Sequence, residues 1–268
     1  MKIILSRKGF DSSCGGMPSP ILPDGTLLSL PIPSNDKISY ADISWNGQSY
    51  LEIIRELNPN SQINDASYCH LDPDLRESIY NRSNEWRPAF GQTGSSLTEL
   101  KDHAISEGDL FLFFGWFKET VMSDGKLQFR RNAPNLHVIY GYLQIGKIIT
   151  SLGDVPEWLS YHPHANPQKY AQAWLNRQNA IFIPAQKLSF SNQLAGSGLF
   201  TFSSRVTLTK KGYSRSRWEF PETMRGIEIS HNPHGWKRDY FQSAARGQEL
   251  IFDCNPAVMD WLQSMFEL

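Results

Sequence analysis

Residues 110–117 read LFLFFGWF, and Leu136–Ile149 reads LHVIYGYLQIGKII. These two runs decide the fold class. Each is too apolar and too rich in aromatic and β-branched side chains to lie on a surface, and each is longer than a typical edge strand. The Glu107-Gly108-Asp109 turn leads into the first run, and Asp124-Gly125 is a hairpin signal between the two. Gly141 interrupts the second run and marks a kink. The expectation is a buried antiparallel pair at the centre of a sheet.

Working outward, Lys2-Ile3-Ile4-Leu5 reads as a first strand. A loop rich in Gly, Pro and Ser then spans residues 6–34, with a short strand at 27–30 inside it. Residues 49–57 read as a helix closed by Asn58-Pro59. Asp72-Pro73 reads as an N-cap followed by Pro at the first helical position, starting a helix towards Tyr80. Ser96-Leu97-Thr98-Glu99 has capping-box spacing and predicts a helix to about Ile105. Asn166-Pro167 caps another helix, and 239–246 a shorter one. Residues 180–183, 206–209 and 249–252 read as strands. Pro256–Phe266 is a last helix, with Val258, Trp261, Leu262 and Phe266 on one side. Without regular βαβ alternation, the pattern predicts an α+β fold: a largely antiparallel sheet, curled towards a barrel and flanked by helices. The expected organisation is one domain, with the 6–34 loop, a helical insertion at about 49–106, and a β-rich core at about 107–150 and 180–252.

The chain has 268 residues, 40% of them hydrophobic and 20% charged, with 26 Lys+Arg against 27 Asp+Glu. That balance excludes collagen, coiled coil and wholesale disorder. No apolar run reaches the roughly 20 residues of a membrane helix. The start of the chain reads as a strand, not a signal segment. Three cysteines, Cys14, Cys69 and Cys254, offer no C-x-x-C pair and no even framework, so reduced thiols and a cytoplasmic setting are expected. Charge is uneven: residues 51–110 hold 11 acidic and 5 basic side chains, whereas 201–250 hold 9 basic and 5 acidic. A basic half attracts phosphate.

There is no P-loop, dinucleotide fingerprint, H-E-x-x-H or G-x-S-x-G. Chemistry must come from looser groupings. Ser6-Arg7-Lys8-Gly9-Phe10-Asp11 follows the first strand. Arg7 and Lys8 suit phosphate, and Asp11 suits a general base or metal ligand. His70-Leu71-Asp72-Pro73-Asp74 places metal-ligand types close together, or forms an imidazole–carboxylate acid/base pair, with Asp72 also needed as an N-cap. His162-Pro163-His164, on an extended segment, turns two imidazoles to one face as a unit for Zn²⁺, Fe²⁺ or Mn²⁺, with His70 or Asp11 available as a further ligand. His231-Asn232-Pro233-His234 is a looser pair. Arg246-Gly247-Gln248-Glu249, at the mouth of a strand, offers a guanidinium, an amide and a carboxylate that can hold a base edge or a sugar hydroxyl.

Two resemblances follow. The region 96–149, with its capped helix, G-D turn and glycine-bearing strand, resembles the small β-barrels of the PUA, EVE and ASCH type. Those bind modified or flipped bases in an aromatic pocket, for which Trp116, Phe117 and Tyr142 would supply the stacking faces. Over nearly the whole chain, a second set of motifs resembles the third nucleotide modification associated domain family. It comprises the string from Ser6 to Ser12, Gly15-Gly16, Pro18-Ser19-Pro20-Ile21, Leu30-Pro31-Ile32-Pro33, His70 to Leu75, Phe90-Gly91-Gln92, residues 108–117, residues 141–146, His162-Pro163-His164 and residues 246–249. That family is placed, largely by gene context in phages and bacteria, with DNA-base hypermodification and defence. The resemblance implies an enzymatic or nucleotide-binding role, and makes site candidates of Arg7, Lys8, Asp11, His70, Asp72, Asp74, Gln92, His162, His164, Arg246, Gln248 and Glu249.

The leading expectation is an enzyme acting on a nucleotide or nucleic-acid base. Asp11, His70, Asp74 and Glu249 are its catalytic candidates. Arg7, Lys8, Gln92, Trp116, Arg246 and Gln248 are its substrate-binding candidates, and His162 and His164 hold a divalent metal if one is used. A modified-base recognition module is the alternative, and a metal-dependent nuclease the third reading.

Overall fold

The computed structural model describes residues 1–243 and 249–267. Among these residues the principal sheet has nine strands. We label them β1 (Lys2–Arg7), β2 (Ser19–Ile21), β3 (Phe90–Thr93), β4 (Leu110–Ser123), β5 (Lys126–Phe129), β6 (Leu136–Ile149), β7 (Asn179–Pro184), β8 (Ser197–Leu199) and β9 (Glu249–Asp253). The main path runs β9-β1-β4-β6-β7-β3 and curls into a half-barrel, with β2 and β5 added on β4 and β8 on β6. The helices are α1 (Tyr50–Leu57), α2 (Gly94–Asp102), α3 (Pro167–Leu175) and α4 (Pro256–Phe266). The mixed α+β class and the curled sheet agree with the sequence reading.

The two decisive runs are neighbours, as their composition demands. β4 and β6 pair antiparallel, and the register slips between Ile139 and Gly141, a bulge where the glycine marked a kink. Asp124 and Gly125 both adopt positive φ, the requirement of a tight type I′ hairpin turn, and carry β4 into β5. β1 and β2 run parallel to β4, so the sheet is mixed at its centre. The chain between β1 and β4 is long enough to allow this, since a parallel pair needs a crossover and not a hairpin. Phe90, Phe111, Phe113 and Phe182 fill the interior, with Phe90 ring centroids 4.9 Å from Phe111 and 5.0 Å from Phe113.

The 6–34 segment is not loose. Phe10, Met17, Leu28 and Leu30 are buried in a second cluster with Tyr40 and the inner face of α1. A third cluster packs Trp174 of α3 against Ile181 and Ile183 of β7. α4 covers the sheet with Val258, Trp261, Leu262 and Met265.

Several local expectations differ. The helix expected from Asp72 does not form: Asp74 and Ala89 exchange backbone hydrogen bonds as an isolated bridge, and the Asp72 carboxylate is drawn to a neighbouring strand. Tertiary pairing there outweighs a local cap. α2 begins at Gly94, with Thr93 as its N-cap, earlier than the Ser96 signal. Residues 206–209 form a short turn and single bridges, and 27–30 makes only one bridge, at Leu27. Instead of a helix from 239, Phe241–Gln242 pairs with Arg217–Trp218. The rest of that stretch, 244–246, lies outside the described residues. No helix among the described residues is long and apolar enough to cross a membrane, and all three cysteines are free.

Candidate functional site

β1 ends at Arg7, and the chain turns away from the sheet through Lys8 and Gly9. Beside that exit, a cavity of about 220 Å³ opens between the start of the long loop, β3 and the segment preceding α3. Arg7, Lys8, Asp11 and Gln92 line it together with His70, Asp72, His164 and Tyr170. Segments from the three packing clusters meet here, so the position of each side chain is set by a separate piece of core.

His70, Asp72 and His164 are the one set of three metal-ligand types among the described residues whose ligand atoms lie close together, all within 4.8 Å of one another. Nε2 of His70 and Nε2 of His164 are each 3.9 Å from Asp72 Oδ2. The other nitrogen of each ring is occupied. His70 Nδ1 donates to Asp36 Oδ2 at 2.7 Å, and Lys169 Nζ binds the second Asp36 oxygen at 2.7 Å. His164 Nδ1 donates to Asn179 Oδ1 at 2.7 Å. The Asn179 amide nitrogen donates to the His164 carbonyl at 2.9 Å, which fixes the amide's orientation. Asp72 Oδ1 accepts from the Gly91 N–H at 2.6 Å and lies 3.3 Å from His162 Nε2. Tyr170 stacks on His164, 4.9 Å between centroids and 7° from parallel.

Electrostatics follow from this packing. Burial opposes charge on Asp72, but His162, His164 and His70 together hold its carboxyl at about 2. Burial pushes His164 down to about 3, so its ring is neutral at ordinary pH. Asp36 is held well below the usual carboxylate range: His70 and Lys169 outweigh its burial.

The side chain of Arg7, which also lines the cavity, makes no hydrogen bond or ion pair among the described residues. Arg215 lies close by and lowers its own proton affinity through burial and the Arg7 charge. Arg215 donates to Ser12 Oγ at 2.6 Å and lies 4.0 Å over the Trp116 ring, without a carboxylate in salt-bridge range among the described residues. Lys8 is different: its ammonium sits 3.4 Å from Glu249 Oε1 and over the Phe90 ring. That same oxygen accepts from Gln92 Nε2 at 2.7 Å and Ser6 Oγ at 3.1 Å. Glu249 is thus a buried tie between β9, β1 and β3 beneath the cavity.

The sequence candidates are therefore divided. Arg7, Lys8, Asp11, His70, Gln92 and His164 line one cavity. Asp11 Oδ1 accepts from Ser13 N, Ser13 Oγ and Cys14 N; these bonds outweigh its partial burial and lower its pKa, as in a residue that shapes the loop. Asp74 lies elsewhere, wholly buried against Arg82 at 2.6 Å with Tyr161 and Trp86. His162 is the N-cap of a 3₁₀ turn (Pro163–Ala165), and not part of an extended segment. Its Nδ1 accepts from the His164 N–H, so the two imidazoles are not equivalent. Trp116 binds Asn135 and faces Arg215. Phe117 and Tyr142 are buried in the core. Arg246 and Gln248 lie outside the described residues.

Sequence reasoning missed Asp36, Asn179, Tyr170, Lys169 and Arg215. Asp36 and Asn179 are single polar residues far along the chain from their imidazoles, with no local spacing to flag them. The pairing of Arg215 with Trp116 was equally invisible, although the basic excess in residues 201–250 pointed at its region.

A curled α+β half-barrel thus carries, at one strand end, a cavity lined by two imidazoles, two carboxylates, a lysine and an arginine. The chain belongs to the nucleotide modification associated domain 3 family, whose model matches residues 2–253. No curated protein and no solved structure matches it. The family's description places the chain with nucleotide modification.

Proposed function

We propose that the chain is an enzyme that modifies a nucleotide or a nucleic-acid base in the cavity at the end of β1. The observation that carries this is one cavity of about 220 Å³ lined both by Arg7, a guanidinium without an ion-pair partner among the described residues and with Arg215 nearby, and by the His70–Asp72–His164 cluster. In this reading the arginines hold phosphate. The reacting atom lies against the cluster, in which His70 is the most exposed side chain. Asp11, tied into its loop, positions the arginine side.

Two observations favour this reading over its rivals. A base-recognition module needs open aromatic faces, but Phe117 and Tyr142 are buried and Trp116 is covered on one face by Arg215. A nuclease built on Asp11, His70, Asp74 and Glu249 needs those groups to converge, and they do not: Asp74 pairs with Arg82, and Glu249 sits under Lys8.

The test is nucleoside analysis by mass spectrometry. Common nucleotides and single- and double-stranded DNA are incubated with the protein, with the small-molecule fraction of a bacterial extract supplying co-substrates. A new nucleoside mass with the wild type that is absent with His70→Ala supports the proposal. Tight binding with no new mass in any substrate class transfers the site to base recognition and contradicts it.

A further inference from the structure

In the His70–Asp72–His164 cluster the positions of the protons can be assigned from the partners. The carboxylate of Asp36 can only accept, so His70 Nδ1 carries a hydrogen. The Asn179 amide is oriented by its bond to the His164 carbonyl, so its oxygen faces His164 Nδ1, which also carries a hydrogen. Each ring, when neutral, then presents a lone pair at Nε2. Asp72 commits Oδ1 to the Gly91 N–H, with His162 alongside, and leaves Oδ2 turned towards both rings. Three electron-pair donors thus face one another. A proton cannot settle them, because 3.9 Å from Oδ2 to either Nε2 exceeds hydrogen-bond reach.

We propose that His70 Nε2, His164 Nε2 and Asp72 Oδ2 bind a single first-row divalent transition metal ion. Metal–ligand bonds of about 2.1 Å at tetrahedral or octahedral angles set donors roughly 3.0–3.4 Å apart, so small side-chain rotations close the observed spacing. Two imidazoles select a transition metal over Mg²⁺ or Ca²⁺. Asp36 and Asn179 are the partners that orient ligand imidazoles, and Asp36 is in turn braced by Lys169. All three ligands line the cavity that Arg7 also lines, so the ion would be open to that cavity. The ion would polarise a bound oxygen or activate water there. His162, expected from its spacing to be a ligand, instead stands behind Asp72.

This inference rests on the cavity assigned above, but it is read without turnover. Untagged protein, stripped with a chelator, is titrated with Co²⁺ and followed by visible d–d absorption. The expected result is one equivalent bound. Two exchange-protected, hyperfine-shifted imidazole N–H resonances are also expected, from the protons held by Asp36 and Asn179. His70→Gln, at the rim, should abolish the bands while the protein still melts cooperatively. Asp36→Asn should weaken binding about 10–100-fold, and His231→Gln should leave it unchanged. No uptake by the wild type, or the same spectrum and affinity in His70→Gln, overturns the proposal. If His70→Gln does not fold, the two shifted resonances in the wild type decide the matter alone, and their absence overturns it. Metal bound without any nucleoside product refutes the proposed function and leaves the centre standing. Nucleoside product together with no Co²⁺ uptake by the wild type does the reverse.

Discussion

A methyl carbon added at Gly91 would lie 2.2 Å from Cδ2 and 2.3 Å from Cγ of His164. The glycine is therefore needed for space, not for an unusual backbone, and its N–H also holds Asp72. Gly91→Ala should cost about 1–3 kcal/mol, the usual range for an overpacked core, and should displace His164 from the cluster. Chemical denaturation measures the first effect, and the His164 ring resonances measure the second. An unshifted His164 would contradict the packing argument. At a second position, burial and the charges of Arg215 and Arg7 push His137 down to about 3. Its Nδ1 accepts from Trp218 Nε1 at 3.0 Å, as a neutral ring must. Between pH 6.5 and about 3 the unfolded chain binds a proton on this residue that the folded chain does not. Stability is thus intact above 6.5 and falls as pH drops towards 3. His137→Asn, which keeps an acceptor for Trp218, should flatten the fall in urea midpoint over this window; an equal slope in both proteins would remove His137 as the cause. Of the site's residues, the sequence made Arg7, His70 and His164 legible, because each lies in a dense polar motif. Asp36 and Asn179 act only through a partner that is distant in sequence, and nothing local betrays them.

Among the elements, those governed by their own residues were the ones readable beforehand. α1 starts where Ser49 and Glu52 satisfy each other's backbone N–H groups, a complete capping box. α4 runs from Pro256 to Phe266 behind an Asn255 cap, with the apolar side facing the sheet. β4 and β6 announced themselves by composition. The failures share a cause. At Asp72-Pro73 a good helix start loses to the pairing of Asp74 with Ala89, and the carboxylate that would have capped a helix serves the cavity instead. At His162-Pro163-His164 the turn splits two histidines that an extended segment would have aligned. In both places the local rule is overruled at the candidate site itself. For α1, Ser49→Ala should lower stability by about 1 kcal/mol, or a melting temperature roughly 2–4 °C lower for a chain of this size. No shift in a calorimetric scan would show that the cap is redundant with the packing of Tyr50, Leu51, Ile53 and Ile54.

For the molecule as a whole, the curled sheet gathers at one strand end residues scattered from Arg7 to Arg215. The long opening loop is anchored by its own buried side chains and forms one wall of the cavity, and the segment leading into α3 forms another. The overall charge of -1 says nothing of this site, because the cations Arg7 and Lys8 and the carboxylates of Asp11 and Asp72 line one cavity together. The central claim is that this cavity receives a nucleotide by its phosphate. The most direct measurement is the equilibrium affinity of nucleoside monophosphates against the parent nucleosides, at low and high salt, for wild type, Arg7→Gln and Arg205→Gln. Arg205 is a distant surface residue paired with Glu267 and serves as the control. The phosphate should strengthen binding by about tenfold or more. That advantage should shrink with salt, vanish in Arg7→Gln and persist in Arg205→Gln. Equal affinity for nucleotide and nucleoside, or an undiminished phosphate advantage in Arg7→Gln, would contradict it.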